Sequence, residues 1–317
     1  MENIIVMSPE QALEKDYLAE FRRTKVVPQN LFYTAQGAES FYTYRQADLR
    51  KICWQDEVDF FAEQPFVTPE QPLAFISLGC GNAGAEKMLL RALATSHTVA
   101  YFGVDSSRAM LELAQETLAE EAFTRRYILA DFTREQFRAK LQSHIAPYNV
   151  HIYALIGGTF GNFEQHAIAD VLEQMLRPGE YLYIDVVPKQ EGKVDDLRGR
   201  FSRLPHNLPR FFESLLTKLG LDPEAGRWVS EEIVENELDT LRYTFFFELE
   251  EPVTCHCFGG VIKLAPGERI QLMTIRAYDP SSLRAFMVER GFVYVDMYIP
   301  DVGDLPHLWQ RFLFKKV

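Results

Sequence analysis

Through the middle of the chain, short and nearly continuous apolar runs alternate with stretches of helical periodicity. Leu73–Leu78 (LAFISL) ends in a glycine cluster and leads into helical spacing over 85–94. The pattern repeats as 99–104 (VAYFGV) with a helix over 107–121, 127–130 with one over 134–144, and 150–156 (VHIYALI) with one over 164–176. Residues 181–187 (YLYIDVV) form a fifth run. Strands without a polar face are what a parallel sheet covered on both sides requires. Right-handed crossovers then give an open, doubly wound α/β layer.

The rhythm differs on either side of this block. Residues 8–23 carry apolar positions at helical spacing behind Ser8-Pro9-Glu10, which supplies an N-cap, a first-turn proline and an early acid. Residues 26–66 are mixed and aromatic (Phe32, Tyr33, Phe41, Tyr42, Tyr44, Trp54, Phe60, Phe61), and the proline-bearing stretch 64–72 reads as a linker. Charge with scattered Pro and Gly over 190–235 predicts an inserted helical cap. From Thr240 onward alternation predicts antiparallel strands, turning at Gly259-Gly260 and Pro266-Gly267. A helix over 281–290 then leads into a strand over 292–298, the expected reversed final strand of the sheet.

Composition narrows the function. Hydrophobic residues make up 47% of the 317 positions and charged residues 25%, the balance of a soluble globule. At that length, one large domain carrying insertions, or one domain plus a cap, is expected. The formal net charge of −12 repels phosphate backbones and anionic lipid, which argues against nucleic-acid or membrane partners. Cys53, Cys80, Cys255 and Cys257 are too few and too scattered for a disulfide framework. The first residues lack the basic flank and cleavage site of a signal peptide, and no run reaches the roughly 20 apolar residues of a membrane span. A cytoplasmic location is therefore expected. Cys255-His256-Cys257 puts its two thiols on one face of a strand and His256 on the other, which suits ordinary strand packing better than a metal.

Candidate chemistry begins where the first strand ends. Gly79-Cys80-Gly81-Asn82-Ala83-Gly84 is a G-x-G-x-x-G loop between a strand and a helix, where glycine lets the backbone approach a ligand. Asp105 ends the next strand, about 26 residues beyond Gly79, the spacing at which a carboxylate meets ribose hydroxyls. A dinucleotide enzyme and an S-adenosylmethionine (SAM) enzyme share this opening. Three features favour SAM in combination: Ala130-Asp131-Phe132 at the third strand end, the turn Leu176-Arg177-Pro178-Gly179-Glu180, and the closing helix and strand.

Gly157-Gly158-Thr159-Phe160-Gly161-Asn162 resembles the Gly-Ser-Thr-Ile-Gly-Asn motif of the histidine-specific N-alpha-methyltransferases of ergothioneine biosynthesis. Leu31-Phe32-Tyr33 with Gly37-Ala38-Glu39-Ser40-Phe41 is similar to that family's N-terminal segment. Ala265-Pro266-Gly267-Glu268 followed by Ala277-Tyr278 resembles its C-terminal elements. The resemblance implies a Rossmann-like class I SAM-dependent methyltransferase domain (α/β) with a smaller α+β cap. The expected division is an N-terminal helical segment over 1–72, the SAM domain over 73–190, the cap over 191–270, and C-terminal elements over 271–317 that complete the sheet.

The same resemblance implies that Gly79, Gly81 and Lys87 contact SAM, Asp105 its ribose, and Asp131 with Phe132 the adenine. It places Gly157 and Tyr33 near the amino-acid end of SAM, and implies that Asn162 holds the substrate's carboxylate or amine, with Tyr33 and Asn162 orienting the reactants. A packed aromatic is the plain alternative for Tyr33, and a capping amide for Asn162.

Departures from the family bear on the substrate. Met273 and Ile275 stand where the family has Glu and Ser, and the family's cap tyrosine falls near Phe201. Replacing a glutamate that pairs an ammonium with methionine costs about 2–5 kcal/mol of recognition. The expected substrate is a small amine or amino-acid-like molecule other than histidine, bound in a more apolar pocket. A SAM-binding protein without methyl transfer and an NAD(P)-dependent oxidoreductase are the rival readings.

Overall fold

A computed structural model describes residues 4–8, 10–27, 54–64, 66, 68, 71–189, 194–195, 199, 209–257, 259–299 and 309–317. A two-residue strand, β1 (Ile5–Val6), and helices α1 (Glu10–Thr24) and α2 (Trp54–Ala62) precede the alternating block. That block runs β2 (Leu73–Leu78), α3 (Lys87–Leu93), β3 (Val99–Asp105), α4 (Arg108–Thr117), β4 (Thr124–Leu129), α5 (Glu135–Ile145), β5 (Val150–Leu155), α6 (Gln165–Met175) and β6 (Tyr181–Pro188). The strands lie side by side in the order β1-β4-β3-β2-β5-β6, all parallel. All six residues of β2 are buried because helices cover both faces of the sheet. Ala74, Ile76 and Leu78 point into a core shared with Phe137, Leu141, Ile168, Leu172, Leu283 and Met287. Leu73 and Phe75 point the opposite way, towards Phe61, Leu89, Leu90, Leu93 and Leu111. Period-two alternation within an unbroken apolar run thus feeds two separate cores.

Beyond β6 the chain builds a second layer: α7 (Pro209–Lys218), β7 (Gly226–Glu235), β8 (Thr240–Leu249), the hairpin β9 (Val253–Cys257) and β10 (Gly260–Leu264), and β11 (Arg269–Tyr278). Strands β7, β8 and β11 are antiparallel neighbours. Their inner face packs Tyr243, Phe245, Phe247, Ile270 and Leu272 against Phe211, Phe212, Leu215 and Leu216 of α7. The last two residues of β6, Val187 and Pro188, pair with Ala277 and Tyr278, so one strand joins the two sheets. On β9, Cys255 and Cys257 are buried while His256 is exposed, as alternation requires.

The chain ends with α8 (Pro280–Glu289), β12 (Phe292–Tyr298) and β13 (Gln310–Lys316). Two sequence expectations are corrected here. The reversed strand of the first sheet is β13, which lies antiparallel to β6 over residues 181–186; the run at 292–298 is the outer strand β12, paired with β13. Strand β13 shows only Phe312-Leu313-Phe314 as an apolar signal, because polar Gln310 and Arg311 are buried with it. The second correction is at 226–235, read as part of a helical cap but found as strand β7. As the outer strand beside β8 it is solvated at most positions, so its sequence lacks the clean alternation that marks a half-buried strand.

Candidate active site

In the sheet order the connections depart in opposite directions from β2, leaving a crevice at the carboxyl ends of β2 and β5. The loop after β2 is drawn against β3, since Gly79 and Cys80 N–H groups donate to the Val104 carbonyl at 2.8 and 3.0 Å. Asp105, the last residue of β3, accepts from Gly81 N–H at 2.9 Å and from Ser107 N–H at 2.8 Å. Burial raises its carboxyl from the usual carboxylate range to about 6, against the lowering effect of backbone donors at Ser107, Gly81 and Ser106. Cys80, beneath the loop, is held well above the ordinary thiol range by burial and by the carboxylates of Asp105 and Glu86, which makes it a packing group and not a nucleophile.

Opposite this loop lies the segment after β5. Gly157 and Gly158 take φ values of 90° and 83°, and their N–H groups both donate to Asp185 of β6 at 2.7 Å. Thr159 then crosses to Gly79, where a Cβ would lie 3.0 Å from the Thr159 Cγ2. The turn ends in a short 3-10 segment, Phe160–Asn162, clamped from the second sheet: Arg276 of β11 donates to the Gly161 and Phe163 carbonyls at 3.3 and 2.6 Å. Arg276 is itself paired with Glu235 of β7 at 3.2 Å. Asp185, Thr159 and Arg276 were not singled out from the sequence. An aspartate within an otherwise apolar strand (YLYIDVV) was the available signal for the first.

Of the residues singled out from the sequence, Gly79, Gly81, Asp105, Asp131, Phe132, Gly157 and Asn162 all lie at or just beyond the carboxyl ends of β2–β5. Asp131 accepts from Thr133 N–H at 3.0 Å and from Arg134 Nε at 3.1 Å, closing the turn into α5. The Phe132 ring is buried and packs edge-on against Phe163 at 5.6 Å, steadying the neighbouring loop. Lys87 is directed elsewhere: its Nζ donates to the Thr117 carbonyl at 2.7 Å and lies 3.6 Å from Glu121. Met273 and Ile275 are half-buried on β11 opposite Phe245 and Tyr243, packed against the core of the second layer. Strand alternation puts them on the face away from Arg276. Tyr33 and Phe201 lie outside the described residues.

These residues fit a nucleoside cofactor carrying an amino-acid group. Nothing lies within 4 Å of a Cβ built on Gly81 or Gly158, so both loops border open space. A buried carboxylate at the β3 terminus, able to accept ribose hydroxyls, lies between backbone amides. At Gly79 a side chain is excluded twice, by a φ of +72° and by Thr159. Gly79→Ala is expected to cost about 1–3 kcal/mol in urea unfolding. Adding Thr159→Ser removes the methyl group in the way and should recover only the steric part of that loss.

The profile of a family described as histidine-specific methyltransferase, SAM-dependent, matches residues 13–310. A search of curated proteins finds no match. Among solved structures, a SAM-dependent methyltransferase from Clostridium acetobutylicum is similar at 13% identity and a TM-score of 0.44, over 88% of this chain and 98% of that one. Magnesium protoporphyrin IX methyltransferase from Synechocystis, solved with bound S-adenosylhomocysteine, is similar at 10% identity and a TM-score of 0.47, over 90% and 97%.

Proposed function

The chain belongs to the histidine-specific, SAM-dependent methyltransferase family, and from that premise we propose that it N-methylates a small amine or amino-acid-like substrate other than histidine. It is a SAM-dependent methyltransferase of the class I fold, which sets aside both hydride transfer and cofactor binding without transfer. Among the described residues no helix is long and apolar enough to cross a membrane. In the proposed arrangement the enzyme is cytoplasmic, takes a small-molecule substrate, and uses the second sheet with its flanking helix as the substrate-side cap.

The observation that carries the reading is the buried Asp105 carboxylate held 2.9 Å from the Gly81 amide at the mouth of the glycine loop. Asp105 would accept the ribose hydroxyls, the backbone at Gly79, Gly81 and Gly157 would border the cofactor, and Asp131 with the Phe132 amide would meet the adenine. When bound, SAM supplies a methyl group on a sulfonium as the electrophile of an in-line displacement. The chain's share of the work is then orientation and exclusion of water. The attacking amine must be neutral, which deprotonation before binding provides without a dedicated base. Asn162 would orient the substrate through its carboxylate or amine, a role the family resemblance also implies for Tyr33.

Support for a substrate other than histidine comes from the substitution itself: Met273 and Ile275 stand where the family resemblance places Glu and Ser, so no carboxylate is offered there to pair an ammonium. A labelled-methyl transfer screen across amino acids, histidine included, and biogenic amines tests this. Transfer to a less polar amine is expected, whereas histidine as the best acceptor would overturn the proposal. Asn162→Ala should leave SAM affinity within about twofold and lower turnover by about 100-fold or more, a contrast that calorimetry and the transfer assay read separately.

A further inference from the structure

Asp185 departs from the pattern of its own strand. It is 2% exposed within β6, yet both of its carboxylate oxygens are turned to the neighbouring loop, accepting from Gly157 N–H and Gly158 N–H at 2.7 Å each. Successive backbone amides that converge in this way form an anion-binding concavity. Here the chain's own carboxylate fills it. Peptide planarity carries the consequence across the bond: fixing the Gly158 N–H towards Asp185 turns the Gly157 carbonyl to the opposite side. The Ile156 carbonyl is fixed as well, accepting from the Thr159 hydroxyl at 3.2 Å.

A buried carboxylate calls for a counter-charge, and Arg311 of β13 stands opposite Asp185 in the β6–β13 register, near enough for the two charges to attract. Arg311 is 4% exposed and also forms an ion pair with Glu57 of α2, which is 1% exposed and accepts from the Tyr183 hydroxyl at 2.8 Å. One guanidinium thus serves two buried carboxylates, one from the N-terminal layer and one that holds the glycine turn.

We propose that Asp185 is a positioning residue for methyl transfer, fixing the Gly157–Gly158 backbone in the one orientation that presents the Gly157 carbonyl to the cofactor's amino-acid end, with Arg311 and Glu57 supplying the charge balance that keeps it there. This rests on the methyltransferase reading above. The test is calorimetric binding of S-adenosylhomocysteine, paired with urea unfolding of the free protein. Asp185→Asn keeps one acceptor and turns an NH2 group towards the second glycine amide, so affinity should fall roughly 10- to 100-fold. Asp185→Glu keeps both acceptors and should recover part of the loss, whereas a purely structural role predicts affinity that follows stability in both variants. Should Asp185→Asn fail to fold, Glu57→Gln reports on the same link. Freed of its ionised partner, Arg311 would compete with the glycine amides for Asp185, weakening binding by the folded protein about three- to tenfold beyond what the accompanying loss of stability accounts for. Unchanged affinity in a folded Asp185→Asn protein, or in Glu57→Gln, would overturn the assignment. Wild-type protein that fails to bind S-adenosylhomocysteine would instead sink the cofactor-site reading on which it stands.

Discussion

Asp105→Ala is expected to lower SAM affinity by about 30-fold or more while leaving the free protein as stable as the wild type or more so. Two consequences of burial pull in opposite directions. In the complex the carboxylate can accept ribose hydroxyls in a site shielded from water, and truncating such a charged hydrogen-bond partner costs about 2–5 kcal/mol. In the free protein the same burial makes the charge expensive, which is why the carboxyl is pushed up to about 6. A carboxyl whose folded value lies above its unfolded one destabilises the fold as pH rises through that interval. Between pH 4 and pH 6 the native state therefore holds the proton more tightly, and the contribution of this group to stability falls across that window, by up to about 3 kcal/mol at neutral pH. SAM affinity should run the other way, weakening as pH drops below about 6, because ribose donors favour the ionised form. Asp105→Asn removes both dependences. Urea unfolding and calorimetry at pH 5 and 7.5 read them together, and parallel profiles for wild type and Asp105→Asn would overturn the assignment.

The parts of the site legible in the sequence were those whose signal is local. A strand that ends in glycines and the acid that ends the next strand each sit within a short window, because the tight turn and the buried carboxylate are built from neighbouring residues. The alternating block was legible for the same reason: unbroken apolar runs can be buried only between two helical layers. Asp185 and Arg276 depend on contacts that no window contains. Asp185 lies 28 residues from the Gly157 amide it accepts from, and Arg276 lies 115 from the Gly161 carbonyl it donates to. Asp185 is an acid inside an otherwise apolar strand and meets its partners only once β5 and β6 pair, whereas Arg276 is one polar residue among several on β11 and meets its partners only once β11 lies beside β6. Strand β13 was missed by the same mechanism, since Arg311 looks like a surface residue until Glu57 is folded against it. Lys87 is the converse case. The family resemblance sets this lysine against SAM, but the Thr117 carbonyl at the end of α4 and the Glu121 carboxylate beyond it take its ammonium.

Arg311→Ala is expected to be the most destabilising single truncation among these residues, at about 3–5 kcal/mol, because it strands buried carboxylates instead of merely deleting a contact. Glu57 is 1% exposed and Asp185 2% exposed, so neither can recover its hydration without local opening of the structure. Burial itself opposes the Arg311 charge, yet Glu57, Tyr183 and Asp185 outweigh it and hold the guanidinium well above its ordinary range. If the ion pair with Glu57 were the whole effect, replacing both partners by apolar residues of similar size, as in Glu57→Leu with Arg311→Met, should restore most of the loss. The second carboxylate predicts otherwise. With Glu57 gone, Asp185 still lacks its counter-charge and Tyr183 has lost its acceptor, so the double variant should recover only about half of the deficit in urea unfolding at neutral pH. Full recovery would mean that Asp185 is satisfied by the glycine amides alone. Partial recovery with weakened S-adenosylhomocysteine binding would tie the stability of β13 to the geometry of the cofactor loop through one guanidinium.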